Sequence, residues 1–151
     1  MTTSIKGTQL RGLLLGTKID KATAALPQTA SQTLFTVAGG RIILTSIVGE
    51  VTTAIQAQAT TAKISAAPTT GTAVDLCATT DLTGKEVGTL LGITGTFATG
   101  LVASNAGATV LPANGLVIPI GVIRYTTGAS STGSIKWTMT WIALDDGATV
   151  S

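Results

Sequence analysis

The chain has 151 residues, a formal net charge of +2 and no histidine, which excludes Ser-His and Cys-His nucleophile pairs and every histidine-containing metal site. Charged residues make up 11% and aromatics 3%, against 44% hydrophobic residues and a mean hydropathy of +0.51. A typical globular chain carries about a quarter charged residues, so much of this surface must be Thr, Ser, Gly and Ala.

About one residue in five is Thr. A sparsely charged surface of this kind suits a protein packed against copies of itself or a partner better than a free monomer. The length is that of one domain with a real hydrophobic core. No run reaches the roughly 20 apolar residues of a membrane span. Leu13-Leu14-Leu15, bounded by Gly12 and Gly16, is too short for the 7–15-residue apolar region, roughly, of a secretory signal. Cys77 has no second cysteine to pair with and reads as a small buried hydrophobe.

Residues 1–30 differ from the rest. Lys6, Arg11, Lys18 and Lys21 face the single acid Asp20 there, whereas residues 31–151 hold five basic and six acidic groups. Gly7, Gly12 and Gly16 argue against a stable helix, and Leu26-Pro27 marks a break before the body. Ile5, Leu10, Leu13, Leu14, Leu15, Ile19 and Leu26 are too many apolar groups for a solvated tail. The segment is therefore expected to be an extended arm lying on a neighbouring subunit, with Ile5, Leu10, Arg11, Leu13 and Leu14 as its partner-binding residues.

The body, residues 31–151, reads as short strands. Phe35 and Val37 share one face of the first, and Arg41 to about Thr53 is a β-branched second strand. Gly39-Gly40 between them supplies the positive φ of a two-residue hairpin turn. Strands are expected next over 56–66, ending before Pro68, then over 72–78, 89–93, 96–104 and 108–111. Gly92, Gly95 and Gly100 mark bends, and Asn105-Ala106-Gly107 marks a turn. After the Asn114-Gly115 turn, residues 116–125 form an apolar strand in which Pro119 implies an edge or a bulge. Residues 134–144 alternate most cleanly, with Ile135, Trp137, Met139 and Trp141 on one face. The pattern predicts an all-β fold, an antiparallel β-sandwich or barrel of about 7–8 short strands.

Chemistry is hard to find. The carboxylates Glu50, Asp75, Asp81, Glu86, Asp145 and Asp146 could in principle pair for acid–base work, but Asp145-Asp146-Gly147 reads as a solvated turn and Asp75 as a solvent-facing strand residue. Gly84-Lys85-Glu86 lacks the long glycine loop that cradles phosphate. Trp137 and Trp141 could stack on sugars, yet between Ile135 and Met139 they read as core. Four cations spread over residues 6–21, without interleaved aromatics, are too thin for a nucleic-acid footprint. No catalytic residue, cofactor, metal site, nucleic-acid partner or membrane association is expected.

Three runs resemble a group of small virion structural proteins of tailed bacteriophages: TLFTVAGGRIILTSIVGEVTT, PTTGTAVDLCATTDLTGKEVGTLLGITG, and SIKWTMTWIAL with DDGATV. The resemblance spans residues 33–150. It rests on Leu34-Phe35-Thr36-Val37, Asp75-Leu76-Cys77, the Gly92-Ile93-Thr94-Gly95 bend and the Trp-containing last strand. Within that group it implies a capsid decoration (cement) protein, β-rich and often trimeric. Such a protein sits on the capsid exterior, binds the major capsid protein and braces the shell without catalysis. Residues 1–30 lie outside the resemblance. Other virion parts (a head-fibre base, a tail component, a receptor-binding module) and a carbohydrate-binding β-sandwich are the alternatives, with a lysis or processing enzyme as a weaker third.

Overall fold

Runs of Val, Ile and Thr separated by Gly, Pro and Asn form strands here, because branched side chains pack well on a pleated surface. The computed structural model describes residues 4–105 and 107–151. Residues 1–3 of the expected arm and Ala106 of the expected turn lie outside the described residues. One helix, α1 (Gly7–Leu15), precedes twelve strands, six of which are only two or three residues long.

The strands make two antiparallel sheets. In the first, β1 (Thr17–Ala25) pairs with β11 (Ser134–Ala143), which pairs with β3 (Ile42–Thr53). Along the other side of β3 lie β9 (Leu116–Ile118), beside its first half, and β7 (Leu90–Gly92), beside its second; β8 (Val102–Ser104) continues outward from β7. The second sheet runs β12 (Thr149–Val150), β2 (Ser31–Ala38), β10 (Gly121–Thr127), β4 (Thr61–Pro68). Both β5 (Val74–Asp75) and β6 (Thr80–Asp81) lie along the free side of β4. The architecture is the expected all-β antiparallel sandwich.

The two sheets meet through large side chains. Tyr125 of one and Trp137 of the other are both buried, their ring centroids 5.2 Å apart and tilted by 53°. Gly49, opposite Trp137 on β3, leaves the room this requires: a Cβ there would lie 2.8 Å from the indole ring. Phe35, Leu44, Ile47, Ile64 and Ile123 fill the space around the pair. Burial pushes the Tyr125 hydroxyl above the ordinary phenol range.

Four expectations change. The Gly39-Gly40 turn does not close a hairpin, because β2 belongs to one sheet and β3 to the other. Phe35 and Val37 face Ile42 and Leu44 across the core, and the glycines carry the chain from layer to layer. Gly39 has φ +75°, and a Cβ on it would collide with the Gly147 carbonyl. Residues 116–125 are two strands, since Pro119 has no N–H to donate and the chain leaves the first sheet at Ile118 and enters the second at Gly121. The strands expected over 56–66, 72–78 and 96–104 shrink to 61–68, 74–75 and 102–104, and none forms over 108–111.

The fourth change concerns the arm. Residues 7–15 are helical, because Gly7 begins the helix and Gly16, at φ +81°, ends it; only Gly12 is interior. Residues 17–25 are the edge strand of the chain's own first sheet, and Leu26 is buried beside it. The segment is thus not an extended arm up to residue 30.

The crossover is held by charge. Asp145 accepts from the Arg41 backbone N–H and, through both oxygens, from its guanidinium, each at 2.8 Å. These bonds hold its carboxyl down to about 2 and raise the Arg41 pKa. A folded-state pKa below the unfolded value of about 3.9 stabilises the fold above that value, and the stabilisation is lost as pH falls through about 2. Thermal melts should therefore show a Tm that declines between about pH 4 and pH 2. Asp145→Asn should lower Tm at neutral pH and make that decline shallower; an unchanged profile would remove this role from Asp145.

Candidate intersubunit surface

Leu10, Leu13 and Leu14 stand at i, i+3 and i+4 of α1 and so share one face. In a helix docked on its own body such a stripe would point inward. Here no residue of α1 is buried: Leu13 and Leu14 are 71% and 70% exposed, and Ile5 just before the helix is also exposed. Arg11 is exposed and takes no part in the three ion pairs found among the described residues, Lys18–Asp20, Arg41–Asp145 and Lys63–Asp75. Four of the five residues expected to bind a partner thus lie on α1 and the fifth, Ile5, just before it, all exposed. Isolated helices below about 12–15 residues are marginal even with good formers. At nine residues with an internal glycine, α1 needs a surface to lie on.

Its C-terminal end is mounted on the outer face of the first sheet by a chain of hydroxyls. Thr45 donates to the Leu15 carbonyl, which can only accept, so the Thr45 oxygen accepts from Thr140 at 2.7 Å. Thr140 in turn accepts from Ser46 at 2.6 Å. Every hydroxyl hydrogen in the chain then has one direction. Ser46 and Thr140 point away from the core yet are buried, next to the Thr45 hydroxyl that holds the Leu15 carbonyl. A β-bulge in the β3–β11 register between Thr140 and Trp141 sets Thr45 in reach of the helix end.

From this mount an apolar row runs across the sheet. Ile142, Ile43 and Val117 are directly opposite one another on β11, β3 and β9, and so project from one face. Their neighbours Ile42, Leu44 and Ile118 are buried, so that face is the outer one. At its far end the row meets a cleft of about 370 Å³ between the edge strands of the two sheets. Ala66, Leu76 and Ile118 form its inner part, and the half-exposed Val74, Phe97 and Val117 its rim. Strand spacing puts Val117 on the order of 10 Å from β11, which α1 approaches only at its C-terminal end.

Asp20, Asp75 and Asp81 are engaged locally. Asp20 is held below the carboxylate range by hydrogen bonds from Lys18 and Thr138, and Asp81 by those from Thr83. Lys63 pairs with Asp75 at 2.8 Å. Among the described residues no three His, Cys, Asp or Glu side chains gather, and no helix is long and apolar enough to cross a membrane. Cys77 is fully buried, accepts the Ile64 N–H at 3.3 Å, and has its pKa raised by burial. Trp137 is in the core and Trp141 packs against it half-buried, so the two do not form an exposed stacking platform. The arrangement is suited to apolar docking.

Sequence reasoning singled out Ile5, Leu10, Arg11, Leu13 and Leu14 but read their segment as extended, and it missed the row and the cleft. Phe97 carried the available signal, a large aromatic inside the Gly95–Gly100 stretch of small residues where a core residue has little to pack against. Thr45→Val keeps the shape at the mount and removes its hydroxyl. It should lower stability by about 0.5–1.5 kcal/mol, the usual worth of a hydrogen bond, and speed proteolysis within α1 at unchanged cleavage elsewhere; equal cleavage in α1 would show that the hydroxyl chain does not hold the helix.

Compared with protein-family models, with curated proteins and with solved structures, the chain matches none.

Proposed function

We propose that this protein is a non-catalytic structural component of a bacteriophage virion, a decoration protein that sits on the capsid exterior. It binds the outer face of the major capsid protein lattice and braces the shell mechanically, as a homo-oligomer (a trimer in this reading). The observation that carries the proposal is α1: a short helix held to the body by its last residues, with Leu10, Leu13 and Leu14 turned to solvent. A large apolar surface left open on a folded chain marks a contact made in an assembly. The sparse charge of the body supports the same reading, as does its resemblance to small phage virion proteins over residues 33–150.

The mechanism is contact. α1 links one subunit to the next, and the linked copies engage a repeating lattice together. Individually weak contacts then add up through effective concentration, by about 10²–10⁴ over a single site. Load on the shell is shared among subunits that cannot leave singly.

Co-sedimentation with emptied phage heads tests this. The full-length protein should pellet with heads. A chain lacking residues 1–15 keeps all of β1 and should bind at least about tenfold more weakly, as should Leu13→Asp with Leu14→Asp, since each buried leucine is worth about 1.5–3 kcal/mol. Full-length protein that stays in the supernatant with heads present would overturn the proposal.

A further inference from the structure

The outer face of the second sheet carries an arginine whose charge is not used. Arg124 lies in the middle of β10, directly opposite Thr33 of β2 on one side and Ser65 of β4 on the other. Its neighbours along the strand, Ile123 and Tyr125, fill the core, so Arg124 points outward. Ser65, between the core residues Ile64 and Ala66, projects from the same face, and Asp75 of β5 lies opposite it. We propose that Arg124 and Ser65 form a binding site for a carboxylate, supplied by an aspartate or glutamate side chain of a protein partner.

Two observations carry this independently. First, the guanidinium is unengaged. Its Nε is buried without a hydrogen-bond partner, and Arg124 takes no part in the three ion pairs found among the described residues. Asp75, two strands away on the same face, is held by Lys63 at 2.8 Å instead. A desolvated N–H with no acceptor is costly. A turn of the outer torsions presents Nε and Nη together, and a carboxylate accepting from both removes that cost in the bidentate geometry arginine favours. Second, Ser65 is only 6% exposed, yet its hydroxyl bonds to nothing among the described residues. The comparably buried Ser46 and Thr140, on the outer face of the first sheet, bond to each other. Directly opposite residues have Cβ atoms about 5 Å apart, so a single carboxylate reaches the guanidinium with one edge and the Ser65 hydroxyl with the other.

Charge selects the class of ligand. Lys63 is spent on Asp75, whose carboxylate stands two strands, about 10 Å, from Arg124. Asp81, opposite Thr61 on the same sheet, is about 13 Å further along β4 and is bonded to Thr83. One free cation with carboxylates at that range suits a singly charged group. A nucleic-acid backbone, which is bound by neutralising many phosphates, would find too few cations and two like charges.

The inference stands apart from the virion reading, and its test contains no phage heads. The full-length protein is titrated with acetylated tetraglutamate amide, with its tetraglutamine counterpart and with inorganic phosphate at one ionic strength. The Arg124 Nε–H resonance, identified by its loss in Arg124→Lys, and the Ser65 amide resonance are followed by NMR. Tetraglutamate should move both, with an affinity at least about tenfold above either control. Arg124→Gln should remove that difference. Ser65→Ala, which deletes one hydroxyl, should weaken tetraglutamate binding by about twofold to tenfold, the worth of a hydrogen bond. Resonances that stay still, phosphate bound as tightly as tetraglutamate, or an affinity that Ser65→Ala leaves unchanged would overturn the site.

Discussion

The contact between Tyr125 and Trp137 sets the spacing of the two sheets, and the rest of the fold is arranged around it. Aromatic pairs prefer tilted geometry at centroid distances of about 4.5–7 Å, and this pair, at 5.2 Å, spans the gap between β10 and β11. It needs Gly49 opposite, because any side chain there would occupy the space of the indole ring. With that wedge in place, Phe35 and Val37 from one layer and Ile42 and Leu44 from the other close over it, and the Gly39-Gly40 crossover brings them in from consecutive strands.

A core so complete leaves α1 out. The inner faces of both sheets are filled by their own strands, and the outer face of the first sheet holds the helix only by its end, through the Thr45 and Thr140 hydroxyls. The same outer face carries the Ile142–Ile43–Val117 row to the cleft. One subunit therefore finishes its interior and leaves the α1 leucines, the row and the cleft rim exposed. A low density of charge elsewhere means that little electrostatic repulsion opposes the approach of another copy.

The legible parts of this sequence were those fixed locally. Residues 134–143 alternate because one face is buried along their length, and period two shows it directly. Phe35 and Val37 were placed on one strand face, and Trp137 in the core, for the same reason. The Gly39-Gly40 turn was legible as a turn and not as a crossover, since both need positive φ, and what separates them is whether the flanking inner faces oppose each other. The two-residue strands at 74–75 and 80–81 exist only by pairing with β4 and have no period of their own. The glycines near the N-terminus were weighed by number when position decided the matter, with Gly7 and Gly16 bounding the helix. The cleft was out of reach altogether, because its walls come from residues 66–76, 97 and 117–119, which nothing in the sequence connects.

If α1 is a connector, its stability belongs to the assembly. A nine-residue helix with no buried side chain gains its protection only when its leucines are covered. Amide hydrogen exchange of the full-length protein over a range of concentrations measures this directly. The account predicts that amides of residues 10–16 exchange as unprotected in dilute solution and become protected as concentration rises, while those of β3 and β11 stay protected throughout. Amides in α1 that exchange at one unprotected rate at every concentration would contradict it.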